Sequence, residues 1–469
     1  MKRKMLSGND LIKLGYPEGK AIGLAINTVV RFYRRSDKEE IYAVLKAVLA
    51  NPKDYVEDSL WSKVALALLP SEKKNRSHEL LKNRIEYPIY GSENIEEGAR
   101  NQMEIAMKLP VTVAGALMPD AHQGYGLPIG GVLATRNAVI PYAVGVDIGC
   151  RMCLTVYPLD DVYLERHRSD LKNILLDTTC FGSEAFKKPK EHEVLESKLF
   201  SEIPILRNLK GRAATQIGSS GSGNHFVEFG WIELNANNEW KLNSGRYLAA
   251  LSHSGSRGLG AEVARHYTRL AKELCHLPGE ASHLAWLDLD SEAGQEYWLG
   301  MNLAGDYASA NHQQIHQRIA SALGEQSLFT VENHHNFAWK EKLMDGSEVI
   351  VHRKGATPAG KGVLGIIPGS MTAPGYVVKG KGNQQSLNSA SHGAGRLMSR
   401  SAAKNSITKK MVRQELEKSG VDLIGGGLDE APMAYKDIRK VMSYQDELVE
   451  VLGEFSPKIV RMAGGEDED

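Results

Sequence analysis

The sequence predicts an α+β protein in which a small helical unit, residues 1–75, precedes a large mixed-sheet domain, residues 76–469. Two observations carry that division. In the first 70 residues apolar side chains recur at helical spacing, whereas beyond the charged stretch 70–78 short apolar runs are cut by Gly and Pro too often for continuous helices. A chain of 469 residues is long enough for one large core and a second, smaller one.

In chain order, Ile22, Ala25, Ile26, Val29 and Val30 mark a first helix, and Ile41, Val44, Leu45, Val48 and Leu49 a second. Ser36 followed by Glu39 reads as a capping box opening the second helix, and Pro52 stands just past its end. A third helix is expected over 54–68, with Trp61, Val64 and Leu68 inward. The polar run 70–78 suits a linker. In the large domain, 115–133 and 363–380 read as strands and glycine turns, and 259–274, 292–323 and 409–418 as helices. Asp345-Gly346 reads as a hairpin turn joining 338–343 to 349–353. The acidic end, 466–469, reads as disordered.

Hydrophobic residues at 42% and charged residues at 24% are those of a globular protein. Formal net charge is zero, so a nucleic acid must be held by a local basic patch. Candidates are Arg353-Lys354, Lys379 with Lys381, and the run Arg396, Arg400, Lys404, Lys409, Lys410, Arg413. No apolar stretch has the length of a signal core or a membrane span, so a cytoplasmic protein without membrane contact is expected. Cys150, Cys153, Cys180 and Cys275 are too few and scattered for a disulfide framework or a four-cysteine zinc site.

The chemistry-bearing residues sit in loops. Ser391-His392-Gly393-Ala394-Gly395-Arg396 sets a histidine where bare backbone lets a bulky ligand approach, with a guanidinium fork suited to phosphate oxygens four residues on. Asp147 and Cys150 flank Gly149 on a turn that can aim both at one ion, and a thiolate can bridge two ions. His225, His253 and His335 complete the set. If 224–228 is extended, Asn224, Phe226 and Glu228 share one face and His225 takes the other, so one strand can serve a nucleotide and a metal at once. Each histidine alone reads as a hydrogen-bonded structural residue; the five residues together read as a phosphate-handling metal centre.

Three other patterns fail. His312 and His316 have i, i+4 spacing but lack the Glu of a zinc protease, and read as a solvated helix face. Residues 355–361 nearly spell a P-loop, but Gly362 replaces the Ser/Thr that would hold Mg, and 363–368 does not read as a helix. Lys342-Leu-Met-Asp-Gly346 has one residue too many for the lysine motif of ATP-dependent ligases.

With these residues assembled, the chain resembles the RtcB family of GTP-dependent RNA ligases from about Arg84 to near the C-terminus. The motifs are Met118-Pro-Asp-Ala-His-Gln-Gly-Tyr-Gly126, Val144-Gly-Val-Asp-Ile-Gly-Cys150, Gly221-Ser-Gly-Asn-His225, Ser252-His-Ser-Gly-Ser-Arg257, His335-Asn336, His352-Arg-Lys-Gly-Ala356, Pro368-Gly-Ser-Met371, His392-Gly-Ala-Gly-Arg396 and Asp429-Glu-Ala-Pro-Met-Ala-Tyr-Lys436. The helical N-terminal unit lies outside the common core.

The resemblance implies a mixed-sheet catalytic domain around a two-metal cleft. It implies joining of an RNA 3′-phosphate or 2′,3′-cyclic phosphate to a 5′-hydroxyl with GTP and two Mn2+ ions, and is compatible with an activating protein partner. His392 would attack the α-phosphorus and carry GMP. Asp147, Cys150, His225, His253 and His335 would be metal ligands. Asn224, Phe226, Glu228, Gly369, Ser370 and Arg396 would contact the guanylate, with Asn336 near its phosphates. Asp120 and His122 would lie near the RNA ends, Asp120 being read from residue type as the group that activates the 5′-hydroxyl.

Departures from the family pattern are Arg151 after Cys150, where a glycine is usual, Pro358 where an arginine is common, and Met462 at the spacing of a base-contacting lysine, with Arg461 beside it. Two other classes stay open: a metal-dependent phosphodiesterase or phosphatase acting on RNA ends, which needs the metals but not His392, and a non-catalytic RNA-binding protein of the same fold.

Overall fold

A computed structural model describes residues 8–17, 20–33, 37–69, 76–182, 184, 186, 191–236 and 238–464. The chain divides into two compact units, Met1–Asn75 and Arg76–Asp469. In the first, helices Lys20–Phe32 and Lys38–Ala50 form where apolar spacing predicts them, joined by Gly8–Leu14 and Ser62–Leu68. Leu11, Ala25, Leu45, Val48, Trp61 and Val64 make the core. The second helix is capped by Asp37, whose carboxylate accepts from the Glu40 N–H, one residue on from the expected cap; Ser36 lies outside the described residues. The third helix is shorter than expected. Pro52–Tyr55 forms a 3-10 turn, and Asp58 accepts from the N–H groups of Leu60 and Trp61, so the α-helix starts only at Ser62. The acidic end at 466–469 and most of the expected linker also lie outside the described residues.

The large unit holds, in chain order, β1 (Thr112–His122), β2 (Ile129–Thr135), β3 (Arg151–Val156), β4 (Phe226–Leu234), β5 (Gly245–Ser254), β6 (Phe329–His334), β7 (Asn336–Lys342), β8 (Glu348–Lys354), β9 (Leu364–Ile367), β10 (Gly375–Gly380), β11 (Asp422–Gly426) and β12 (Val449–Gly464). One sheet runs β6-β3-β5-β4-β12-β10-β9 with β11 paired to β12, and a second runs β7-β8-β2-β1. The larger sheet curls until its edges meet: the Asn333 side chain on β6 donates to the Ile366 carbonyl and accepts from the Ile366 N–H on β9. That amide occupies backbone groups that would otherwise be an exposed edge.

Strand alternation then assigns every residue to the inside or the outside of the curl. Inside, Leu154, Val156, Ile232, Leu234, Ala249 and Val377 fill one end. Toward the other end the register row Met152, His253, Phe226, Met462 borders a cavity. Outside, Val227, Phe229, Leu248 and Ala250 pack against Leu171, Leu175, Ile315 and Ile319 of two helices.

The helix Glu292–Leu323 matches its expected span, with Ser291 capping its start and Gly324 in the left-handed region at its end. His312 and His316 are not on a solvated face. They are 0% and 7% exposed, because Ile315 and Ile319 occupy the same stripe and that stripe is what the sheet covers. The hairpin at Asp345-Gly346 forms between β7 and β8 as expected, and 364–367 is strand rather than the helix a P-loop requires.

Candidate metal and nucleotide site

Cys150 ends a turn whose Gly149 has φ of +70°, and its Sγ lies 3.3 Å from His225 Nε2 and 3.1 Å from His253 Nε2. His253 Nε2 is 3.2 Å from His335 Nε2, and His225 Nε2 is 2.8 Å from Asp147 Oδ2. The five residues resolve into two ligand-like triads, Asp147/Cys150/His225 and Cys150/His253/His335, which share the thiol. Side-chain room is provided by backbone: a Cβ at Gly255 would lie 2.2 Å from Asp147 Oδ1, and one at Gly221 1.8 Å from His225 Nδ1.

The donor set fits cations. His253 Nδ1 donates to the Asn224 carbonyl at 2.9 Å, which leaves its Nε2 lone pair aimed at the cluster. Burial lowers the His253 pKa to about 3 and that of His335 well below its ordinary value, so both imidazoles are neutral. Burial, joined by the Asp147 carboxylate, pushes the Cys150 thiol well up; without a cation it stays protonated. Burial also opposes ionisation of Asp147, but the hydrogen bond and charge from His225 outweigh it and hold that carboxyl low. Converging lone pairs, a half-buried carboxylate and an adjacent thiol are the pattern a pair of divalent ions would satisfy, with Cys150 common to both.

His392 faces this cluster, its ring 5.0 Å from that of His335. Behind it, Asp120 is fully buried: Oδ2 accepts from His392 Nδ1 at 2.6 Å and from the His392 N–H at 3.1 Å. Burial works against the Asp120 charge, but the bond to His392 and the charges of His392 and Lys436 outweigh it and keep the carboxyl below its usual range. Gly395, at φ +72°, allows this approach, since a Cβ there would lie 2.0 Å from the Asp120 carbonyl. Asp120 therefore stands under the histidine, a pairing that the sequence reading did not include. His122 is buried next to it with a pKa lowered to about 4, burial being the main cause.

The cavity between cluster and sheet holds about 280 Å³, of the order small-ligand sites have. Asn224, Phe226, Glu228, Gly369, Ser370 and Arg396 line it, together with His253, His335 and His392. Asn336 is not among the lining residues; its amide donates to the Asp147 carbonyl and accepts from the Gly355 N–H, tying two loops of the site together. Burial raises the Glu228 carboxyl well above its ordinary value. Arg396 does not present a free fork: it bonds Glu430, the carbonyl oxygens of Met398 and Asp429, and the Tyr435 hydroxyl. Met462 and Met371 close the cavity's apolar side. Arg461, one residue off, points to the opposite face and donates to the carbonyl oxygens of Leu175, Leu176 and Thr179 at a helix C-terminus. Arg151 likewise turns outward to Glu332 and the Gly305 carbonyl.

Residue-type reasoning passed over Glu430, Tyr435 and Lys436. Glu430 is 2% exposed and pairs with Arg396 and Arg400, and Lys436 donates to the Ala121 carbonyl at 2.7 Å. Their signal was the 429–436 motif itself, to which no role had been attached.

Fold and site together define a mixed-sheet protein whose thiol-sharing Asp/Cys/His cluster faces a carboxylate-held histidine across a ligand-sized cavity. A family model described as tRNA-splicing ligase RtcB matches residues 102–204 and 187–463, and the chain belongs to that family. Similar proteins include the RNA-splicing ligase RtcB of Escherichia coli K12, 32% identical over 392 residues that cover 76% of this chain and 92% of that protein. The tRNA-splicing ligase RtcB of Thermococcus kodakarensis is 31% identical over 415 residues, 73% of this chain and 86% of that protein. An RNA-splicing ligase RtcB homolog of Entamoeba histolytica is 30% identical over 406 residues, 71% and 77% respectively. No described helix is long and apolar enough to cross a membrane.

Proposed function

We propose that this chain is a cytoplasmic RNA ligase that joins an RNA 3′-phosphate or 2′,3′-cyclic phosphate end to a 5′-hydroxyl, using GTP and two manganese ions, with GMP carried on His392. The observation that carries the reading is the Asp120–His392 pair beside the cluster. Asp120 accepts from His392 Nδ1–H, so that in the neutral form of the ring, the form that attacks, the lone pair is on Nε2. Attack on the α-phosphorus releases pyrophosphate and leaves GMP on Nε2. A 2′,3′-cyclic end is first opened by water, which breaks the P–O2′ bond and frees the 2′-hydroxyl. The RNA 3′-phosphate then takes the GMP, regaining the histidine, and the 5′-hydroxyl, losing its proton, displaces GMP to close the phosphodiester. Activation is required because a bare 3′-phosphate has no leaving group.

Asp147, Cys150, His225, His253 and His335 would hold the ions, which supply Lewis-acid stabilisation of charge on the phosphoryl oxygens. Phe226 and Met462 flank the base, Glu228 reads its polar edge, and Arg396 with Glu430 sets the shape of the phosphate end. The hydrogen bond from His392, with the charge of Lys436 as a smaller contribution, keeps the Asp120 carboxyl low.

The test is incubation with GTP labelled at the α-phosphate and manganese, followed by mass spectrometry of the labelled peptide. An acid-labile label on His392 is expected. Hydrolysis of RNA phosphate ends without any protein label would replace the ligase by the phosphodiesterase reading.

A further inference from the structure

A second group of nitrogen and sulfur donors lies outside the curl of the large sheet. Cys153 and Ser252 face each other in register on β3 and β5, one residue along from Met152 and His253, so they project to the outer side. The helix Glu292–Leu323 covers them with His312 and His316, and the ligand atoms of Cys153, His312 and His316 lie within 4.8 Å of one another. All are buried: Cys153 is 3% exposed, His312 0%, His316 7% and Ser252 0%.

The orientation of these groups is that of ligands. His312 Nε2 donates to the Ser254 carbonyl at 3.1 Å, a group that can only accept, so Nδ1 carries the lone pair and points inward. His253 is held in the same manner on the inner side by the Asn224 carbonyl. His312 Nδ1 and His316 Nε2 converge on the Ser252 hydroxyl at 2.7 and 2.8 Å.

We propose that Cys153, His312 and His316 bind one zinc ion, with the Ser252 hydroxyl at the fourth corner, as a closed structural site. One thiolate and two imidazoles, with a hydroxyl beside them, make a buried set that suits tetrahedral zinc, and the burial of all four residues suits a structural ion. Loading displaces the Cys153 thiol proton to solvent, and the two imidazoles enter neutral. The ion ties the long helix to β3 and β5 directly behind His253, and its existence does not depend on His392 carrying a nucleotide.

The experiment measures metal per chain in the full-length protein. A Cys150→Ala/His335→Ala protein, in which the inner cluster is crippled, is purified with zinc present, dialysed against chelator and analysed by mass spectrometry for metals. About one zinc per chain is expected to remain, falling at least fivefold on adding Cys153→Ser or His316→Gln. Zinc absent from the double variant, or unaltered by Cys153→Ser, overturns the site. Because the added changes could unfold the core, cobalt is loaded into the double variant without them. A thiolate-to-cobalt charge-transfer band is expected there, and its absence also overturns the proposal.

Discussion

Cys150 and Cys153 stand three residues apart at the start of one strand, and the sheet separates them. Cys150 lies inside, shared by two triads with Asp147, His225, His253 and His335, of which His253 and His335 line the cavity that His392 faces. Cys153 lies outside, under the long helix with His312 and His316. The donor types are nearly the same, so the difference between the two proposed roles rests on access. An open cluster can admit a phosphate; a sealed one can only brace the fold.

The largest expected effect tests the inner side. His392→Ala should lower guanylate formation and RNA joining by more than about a thousandfold while leaving the inner metals in place, since the nucleophile is removed and its surroundings are not. Retained labelling would break the contrast, because the inner cluster would then act without its nucleophile.

Asp120→Asn comes next, with a loss of about a hundred- to a thousandfold in the rate of labelling. An amide that donates to Nδ1 would put the proton on Nε2 and remove the lone pair. The pH behaviour has a definite sign. The Asp120 carboxyl is held below its usual range in the fold, so its contribution to stability is present above the ordinary carboxylate pKa and is lost as pH falls through the depressed value. The melting-temperature gap between parent and Asp120→Asn should therefore be wide at pH 6 and shrink on strong acidification. A gap that widens in acid would show that the carboxyl is protonated in the native fold.

Metal content sharpens the comparison itself. Cys150→Ser should sharply lower manganese occupancy of the inner cluster, because a serine hydroxyl does not ionise near neutral pH to serve as a bridge. Cys153→Ser should leave manganese untouched. Equal manganese loss in both, by metal analysis, would mean that the two faces are one coupled site.

Smaller effects follow the same inside–outside alternation at the other end of the row. Met462 faces the cavity and Arg461 does not, so Arg461 is not placed to reach a base bound there as proposed. Met462→Lys should raise the preference for GTP over ATP by roughly ten- to a hundredfold, the value of about 1.5 to 3 kcal/mol for a hydrogen bond to a charged donor. Arg461→Ala should leave that preference unchanged and only lower thermal stability; measured labelling ratios at matched nucleotide concentrations decide. Least of all should the reaction feel the helical unit. A chain beginning at Arg76, folded by circular dichroism, should label with GTP within about twofold of the parent, an estimate that treats the two units as independent. Failure of that folded chain to label would place part of the active site before residue 76.

Much of the site was legible because its signals are local. The spacing of 224–228 alone put Phe226 and Glu228 on one face with His225 on the other, and glycines beside His392 marked backbone open to a ligand. The hairpin at Asp345-Gly346 and the span 292–323 were likewise set by turn chemistry and period. The pairing of Asp120 with His392 was not legible, because the two are 272 positions apart and nothing local pairs them. Arg396 promised an open fork; Glu430 and Tyr435, brought from another loop, close much of it.

By itself, then, the sequence determined which residue types bear chemistry and which segments are helices and turns, to within a few residues at some ends, since both depend on neighbours a few positions apart. The partners of each face were decided by the tertiary structure. A period of 3.6 residues reads the same on a helix facing water and on one facing a sheet, so His312 and His316 looked solvated until Ile315 and Ile319 were seen against the outer strands. The pairing of β12 with β4 settled Met462 over Arg461 in the same way, because a one-residue shift in register exchanges inside for outside.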